Sequence, residues 1–151
     1  MLKIIDAVKD FLLNNVNEKI AEIAEEEGLT VPKIDKKQIV HGIIDTSRYT
    51  GKCVVSIMTD TQKETESNIT EWAFATDLTI TFLASGSNYD NLVKFACIYA
   101  SALKRAMQDS PTFNLHFSGS GIQGIKIYYD AGATSGQMTA AEIELTVTTE
   151  E

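Results

Sequence analysis

From Trp72 to Leu83 the chain alternates: Leu78, Ile80 and Phe82 go to one side, Asp77, Thr79 and Thr81 to the other. A strand with that pattern buries one face and wets the other. It therefore belongs in an antiparallel-type sheet whose apolar face is covered by helices and whose second face is polar.

Two helical stripes can supply the cover. Residues 2–26 carry Ile5, Val8, Leu12, Val16, Ile20 and Ile23 at steps of three or four, with Lys9, Asp10, Glu18, Lys19, Glu22 and Glu25 opposite. Glu25-Glu26-Glu27 is unfavourable at a helix C-terminus, where the dipole prefers cations, and reads as a solvated end. Gly28 supplies the stop and Pro32 forbids a restart. Ser85-Gly86-Ser87-Asn88 breaks the alternating strand and offers an N-cap at Ser87. A second helix over 89–109 follows, with Leu92, Phe95, Ala96, Tyr99, Ala102, Leu103, Ala106 and Met107 on its broad apolar face. Asp109-Ser110-Pro111 ends it.

Shorter β-like runs cover Gln38 to Ile44, Lys52 to Thr59, Ile125 to Tyr129 and Glu142 to Thr149. Residues 60–69 (DTQKETESNI) lack periodicity and are expected to form a loop, as are residues 130–140 (DAGATSGQMTA). The order is α-β-β-β-α-β-β. The expected fold is α+β: one domain over residues 1–151, with a single mostly antiparallel sheet and two helices packed on one face.

A chain of 151 residues can bury roughly 68–70% of its unfolded surface, so it needs no disulfide or metal to hold a core. No run approaches the ~20 apolar residues of a membrane span, and charges interrupt Met1-Leu2-Lys3-Ile4-Ile5-Asp6 too often for a signal peptide. The net charge of −8 and scattered lysines, paired only at Lys36-Lys37 and Lys104-Arg105, argue against a phosphate-binding surface. Cys53 and Cys97 lack a CxxC partner, and both read as reduced, buried filler.

No constellation points to catalysis. Gly119-Ser120-Gly121-Ile122-Gln123-Gly124 has the letters of the dinucleotide fingerprint, but it precedes a strand rather than opening a helix, and reads as a flexible run into that strand. His41 and His116 have no Cys, Asp or Glu at metal-ligand spacing and read as structural. Asn68-Ile69-Thr70 is a glycosylation sequon by letters only. The expectation is a protein that is not an enzyme, with no cofactor and no metal. Trp72 and Tyr128-Tyr129 are the largest aromatic features near strand ends; they suit either the edge of a core or an oligomer interface.

The stretch from Glu71 to Leu83, the helix opening Tyr89-Asp90-Asn91-Leu92, its end at Asp109-Ser110-Pro111-Thr112, the strand with Tyr128-Tyr129-Asp130 and the last strand Ala141 to Thr148 together resemble the tail terminator (tail completion) proteins of long-tailed bacteriophages and prophages. The resemblance covers most of the chain; the long N-terminal helix and the glycine-rich run at 119–124 depart from it. It implies a homo-hexameric ring that caps the tail tube at full length and forms the surface for head attachment. Its partners would be the tail tube protein and a head–neck connector protein, with DNA passing through the lumen without specific binding. It implies a location at the head-proximal end of the virion tail, after synthesis in the bacterial host cytoplasm, and no catalytic residues. Contacts to neighbours and tube would come from the two loop segments and the adjoining aromatics: Gln62, Glu64, Glu66, Trp72, Tyr128, Asp130, Thr134, Gln137 and Met138.

Three other readings compete. A neck or head-completion protein of the same particle would differ only in its partners. A small dimeric α+β module could hold a ligand in a pocket lined by Tyr99, Trp72 and Phe82. A hydrolase would need His41 or His116 beside a nucleophile.

Overall fold

Helical periodicity ends at Gly28 for a visible reason. This glycine sits at φ +65, where its N–H donates to the Glu25 carbonyl (3.2 Å) and the Leu29 N–H to the Ala24 carbonyl (2.9 Å). Those are the two bonds of a Schellman cap, which needs a left-handed residue at that position. The structure, a computed structural model, describes residues 2–42, 53–67, 72–86, 89–130 and 137–150. Before the cap run α1 (Leu2–Phe11), a π-helical segment (Leu12–Val16) and α2 (Asn17–Glu27) as one helix. After it come a 3-10 turn (Lys36–Gln38), β1 (Ile39–His41), β2 (Cys53–Ser67), β3 (Trp72–Gly86), α3 (Tyr89–Asp109), β4 (Gly119–Asp130) and β5 (Gln137–Glu150).

The strands form one five-stranded sheet in the order β1-β2-β3-β5-β4. β1 joins β2 in parallel, and every other pairing is antiparallel. The helices cover one face, so the fold is α+β with a single mixed sheet, in the element order the sequence suggested. Facing the helices, β3 buries Thr76, Leu78, Ile80, Phe82 and Ala84, and β5 buries Thr139, Ala141, Ile143, Leu145 and Val147. Against them α3 sets Leu92, Ala96, Tyr99, Leu103 and Ala106. Each large apolar side chain fully buried there contributes about 1.5–3 kcal/mol.

Tyr99 ties three layers together. Its ring stacks on Phe82 of the sheet (centroids 5.6 Å apart), and its hydroxyl donates to the Pro32 carbonyl (2.9 Å) in the strap after α2. Burial pushes the neighbouring Cys53 thiol up to about 12 and raises Tyr99 as well, so both are fixed as neutral core groups. The strap is also held from the helix side. Asn17 Nδ2 donates to the Ile34 carbonyl (2.8 Å) while its Oδ1 accepts from the Ile34 N–H (2.7 Å), seating Ile34 in the core. Two ion pairs, Lys19–Asp109 (2.8 Å) and Arg105–Glu26 (3.0 Å), set α2 antiparallel to α3. Such exposed pairs are worth little in energy, but two of them fix a direction. The Glu25–Glu27 run is exposed as expected, and Glu26 is additionally paired with Arg105, which holds its carboxyl below the usual range.

Several sequence expectations need correction. Residues 60–67 are not loop: β2 continues to Ser67, paired with β3 down to Trp72. Bulges between Thr59 and Thr61 and between Glu64 and Glu66 each insert a residue, so the period of two is broken twice in eight positions. β4 begins at Gly119, not Ile125, and the glycine-rich run is itself strand, with a bulge between Ile122 and Gly124. The 130–140 loop gives Asp130 to β4 and 137–140 to β5; residues 131–136 lie outside the described residues. The 38–44 run is a three-residue strand, and Ile43, Ile44, the Ser87 cap and the Asn68 sequon lie outside the described residues. Cys97 is exposed rather than buried, because it lies one step off the Ala96–Tyr99–Leu103 stripe of α3. Ile5 is half-buried, while Ile4 takes the core position.

Between α3 and β4 the chain makes a left-handed turn, with φ +48, +60 and +71 at Phe113, Asn114 and Leu115. Phe113 is locked between Phe11 (centroids 4.3 Å) and Phe117 (4.9 Å), and the Ser110 hydroxyl accepts from the Asn114 N–H (3.0 Å). Leu115 is 88% exposed, so its side chain does nothing to offset the strain of a positive φ.

Two stability predictions follow from these contacts. Asn17→Ala strips both Ile34 backbone groups of their partner and should cost about 1–3 kcal/mol in chemical denaturation. Leu115→Gly removes left-handed strain at a site without packing and should stabilise the fold by about 1 kcal/mol; an unchanged or lower melting temperature would refute the strain at that turn.

Candidate assembly interface

The exposed aromatics lie at opposite ends of the sheet. Trp72 opens β3, paired with Ser67 of β2, and is 52% exposed. Tyr128 and Tyr129 sit near the far end of β4, paired with Ala140 and Thr139, and are 48% and 55% exposed. β3 runs the full distance between the two ends, 15 residues from Trp72 to Gly86, which at ~3.3 Å per residue is roughly 45 Å. All three are about half exposed, and none is among the side chains packed against the core.

The predicted contact residues divide along the same line. Gln62 and Glu64 are exposed on the distal half of β2, where Gln62 Nε2 donates to Thr76 Oγ1 (3.1 Å), and Glu66 continues that strand in register with Ala73. With Trp72 they make one group. At the other end Tyr128, Asp130, Gln137 and Met138 lie on the last residues of β4 and the first of β5, where Asp130 pairs with Met138 and Gln137 with Gly86. Met138 is half-buried, and Thr134 lies outside the described residues. No single patch gathers the predicted residues; they form two.

Between the two ends the uncovered face of the sheet is acidic. Asp60, Asp77, Glu142 and Glu144 are set there with Lys63 and Lys126. A shallow concavity of about 440 Å³ is lined by Asp60, Thr61, Asp77, Gln123, Glu144 and Thr146. Lys126 reaches Glu144 (3.3 Å), and Tyr128 donates to Glu142 (3.4 Å). Asp77 is the centre of this surface: its Oδ1 accepts from Thr146 Oγ1 of β5 (2.6 Å) and its Oδ2 from Thr61 Oγ1 of β2 (2.7 Å). The Thr146 and Thr61 hydroxyls, with Lys63 nearby, hold its carboxyl below the usual range. Sequence reasoning placed Asp77 on the polar face but missed the link across three strands, which needs the register of β2 and β5.

The other expectations find their places too. Phe82 and Tyr99 are stacked and fully buried, while Trp72 lies ten residues from Phe82 along the strand, so these three do not line a common pocket. His41 and His116 are both exposed, His116 at the rim of a 220 Å³ hollow with Lys3, Thr149 and Glu150. Among the described residues no group of three or more His, Cys, Asp and Glu side chains is placed to hold a metal, and no helix is long and apolar enough to cross a membrane. The glycine fingerprint lies along a strand and opens no helix. No protein-family model matches the chain, and no curated protein matches it in sequence.

Asp77 is lowered in the folded state, so its contribution to stability is present above roughly pH 4 and lost as pH falls through the folded value. Asp77→Asn should therefore lower the urea midpoint at pH 7 and have a smaller effect at pH 3. An equal loss at both pH values would remove the charge-assisted part of this link.

Proposed function

We propose that this chain is a structural assembly protein of a tailed phage or prophage particle: a tail terminator that closes the tail tube as a hexameric ring and offers the head its docking surface. The reading is supported most by one observation: two unlike exposed patches, around Trp72 and around Tyr128, stand at opposite ends of one sheet whose uncovered face is acidic. A ring stacked between tube and head requires different surfaces above and below. An acidic sheet face turned to the lumen would let DNA pass without sticking; the repulsion acts within about 8 Å at physiological salt.

The N-terminal helix and the glycine-rich β4, where this chain departs from the family pattern, lie on the helix side and at a sheet edge. In this reading the protein acts without catalysis, cofactor or metal, and its partners are further copies of itself, the tail tube protein and the head–neck connector protein.

Sedimentation velocity across a wide concentration range, with negative-stain imaging of the large species, tests this. Sixfold rings with a central hole are expected, and purified tail tubes should shift the equilibrium toward them. A strict dimer that ignores tubes would sink the reading and favour the binding module.

A further inference from the structure

Gly124 flanks the bulge at Gln123, but Gly119 and Gly121 have no such explanation inside one copy of the chain. Gly119, Gly121 and Gly124 all lie in extended strand without positive φ. A Cβ added at Gly119 would meet nothing within 4 Å, and at Gly121 and Gly124 only side-chain atoms at 3.8 and 3.6 Å, which is ordinary contact. Neither backbone conformation nor crowding demands glycine at these positions. Glycine inside a strand weakens it, and often marks a place where another backbone approaches closely.

The register shows which backbone could do so. Among the described residues β4 is one edge of the sheet along its whole length. On the opposite side β1 caps β2 only at Val55–Ile57, and among the described residues no strand pairs with β2 beyond that point on the side away from β3. Following the register across the sheet, Thr61 is level with Asp77, Thr146 and Gly121, and Lys63 with Ala75, Thr148 and Gly119. Ser56, under β1, is level with Lys126. The uncapped half of β2 and the glycine-rich half of β4 therefore stand at the same height. Three successive antiparallel pairings also make β2 and β4 run in opposite directions.

We propose that the glycine-rich half of β4 is the docking edge for the distal half of β2 from a second copy, joining the sheets of neighbouring copies as an antiparallel pair. This builds on the ring reading. A rotation about an axis along the strands leaves heights unchanged, so it brings residues 59–63 of one copy to residues 119–122 of the next. No like charges meet: β2 carries Asp60, Lys63, Glu64 and Glu66 on this half, and Gly119–Gly124 carries no charge. Pairing β2 with β2 would instead set acidic edges together. So few paired residues bury less than the roughly 1,000 Å² of a stable interface, so the contact should be concentration-dependent until the ring closes or is trapped.

Cysteine trapping tests the pairing, in a Cys97→Ser background that leaves only the buried Cys53. Gln62 and Ser120 are level through Thr76 and Val147, and Lys63 and Gly119 give a second pair on the other face. On mild oxidation, Gln62→Cys/Ser120→Cys and Lys63→Cys/Gly119→Cys should each give a ladder of cross-linked multimers, and the single variants should not. Gly121→Val should keep the parent melting temperature yet raise the concentration needed for association at least about tenfold, the factor that corresponds to about 1.4 kcal/mol. Rings with no cross-links in either double variant would overturn the edge pairing and leave the terminator reading standing. A ladder closing at a number other than six would do the reverse. Dimers trapped by Ser120→Cys alone would overturn the proposal in favour of β4 pairing with itself, and a chain that stays monomeric without cross-links would overturn it outright.

Discussion

Everything in this fold hangs on β3 having one dry face. Among the described residues it pairs with β2 from Trp72 to Ala84 on one flank and with β5 from Ala73 to Gly86 on the other. Its alternate residues from Thr76 to Ala84 are sealed under α3. A slip of one residue in either pairing would turn Leu78, Ile80 and Phe82 to water and draw Asp77 into the core, so burial itself holds the register. That register then places every feature of the outer face, including the Asp77 link and the acidic concavity. Of the polar groups on the inner side, Thr139 of β5 donates to the Leu92 carbonyl (2.6 Å) where α3 begins, whereas the buried Thr149 Oγ1 of the same strand finds no partner among the described residues.

Legibility in the sequence followed the same divide between dry and wet. Wherever one face is buried, the letters showed it: β3, the core half of β5, the apolar stripe of α3 and the long N-terminal helix. Where both faces meet water, the pattern vanished. The distal half of β2 reads as loop because no position there has to be apolar, and two bulges shift what alternation there is. The glycine-rich start of β4 hides for a related reason, since glycine has no side chain with which to declare a face. The aromatics were legible as candidates but not as a place. Trp72 and Tyr128 look equivalent in a string of letters, and only strand pairing puts them at opposite ends of the molecule.

The two halves of the outer surface follow from one asymmetry. β1, three residues long, caps the edge of β2 near the Tyr128 end; among the described residues no strand pairs with that edge toward the Trp72 end. Mid-sheet, within one residue of the same height, lie the bulges at Asp60 and Gln123, one on each flank. Bulges bend a strand and steepen its twist. The acidic concavity lies between them, lined by both bulge residues.

The π-helical segment at Leu12–Val16 has a consequence of another kind. A helix of 26 residues with core contacts at Ile4, Val8, Leu12, Val16 and Ile20 keeps stepping by four, which drifts around an α-helix of 3.6 residues per turn. The π turn takes in more residues per revolution and sets the stripe back, so the segment works as a phase splice between two helices that must look in the same direction. Length and orientation become one variable at this point. A lineage of such chains could exchange the letters of Leu12–Val16 freely within apolar and polar classes, yet a gap of a single residue would be felt by the core as a turn of about 100° rather than as a shortening.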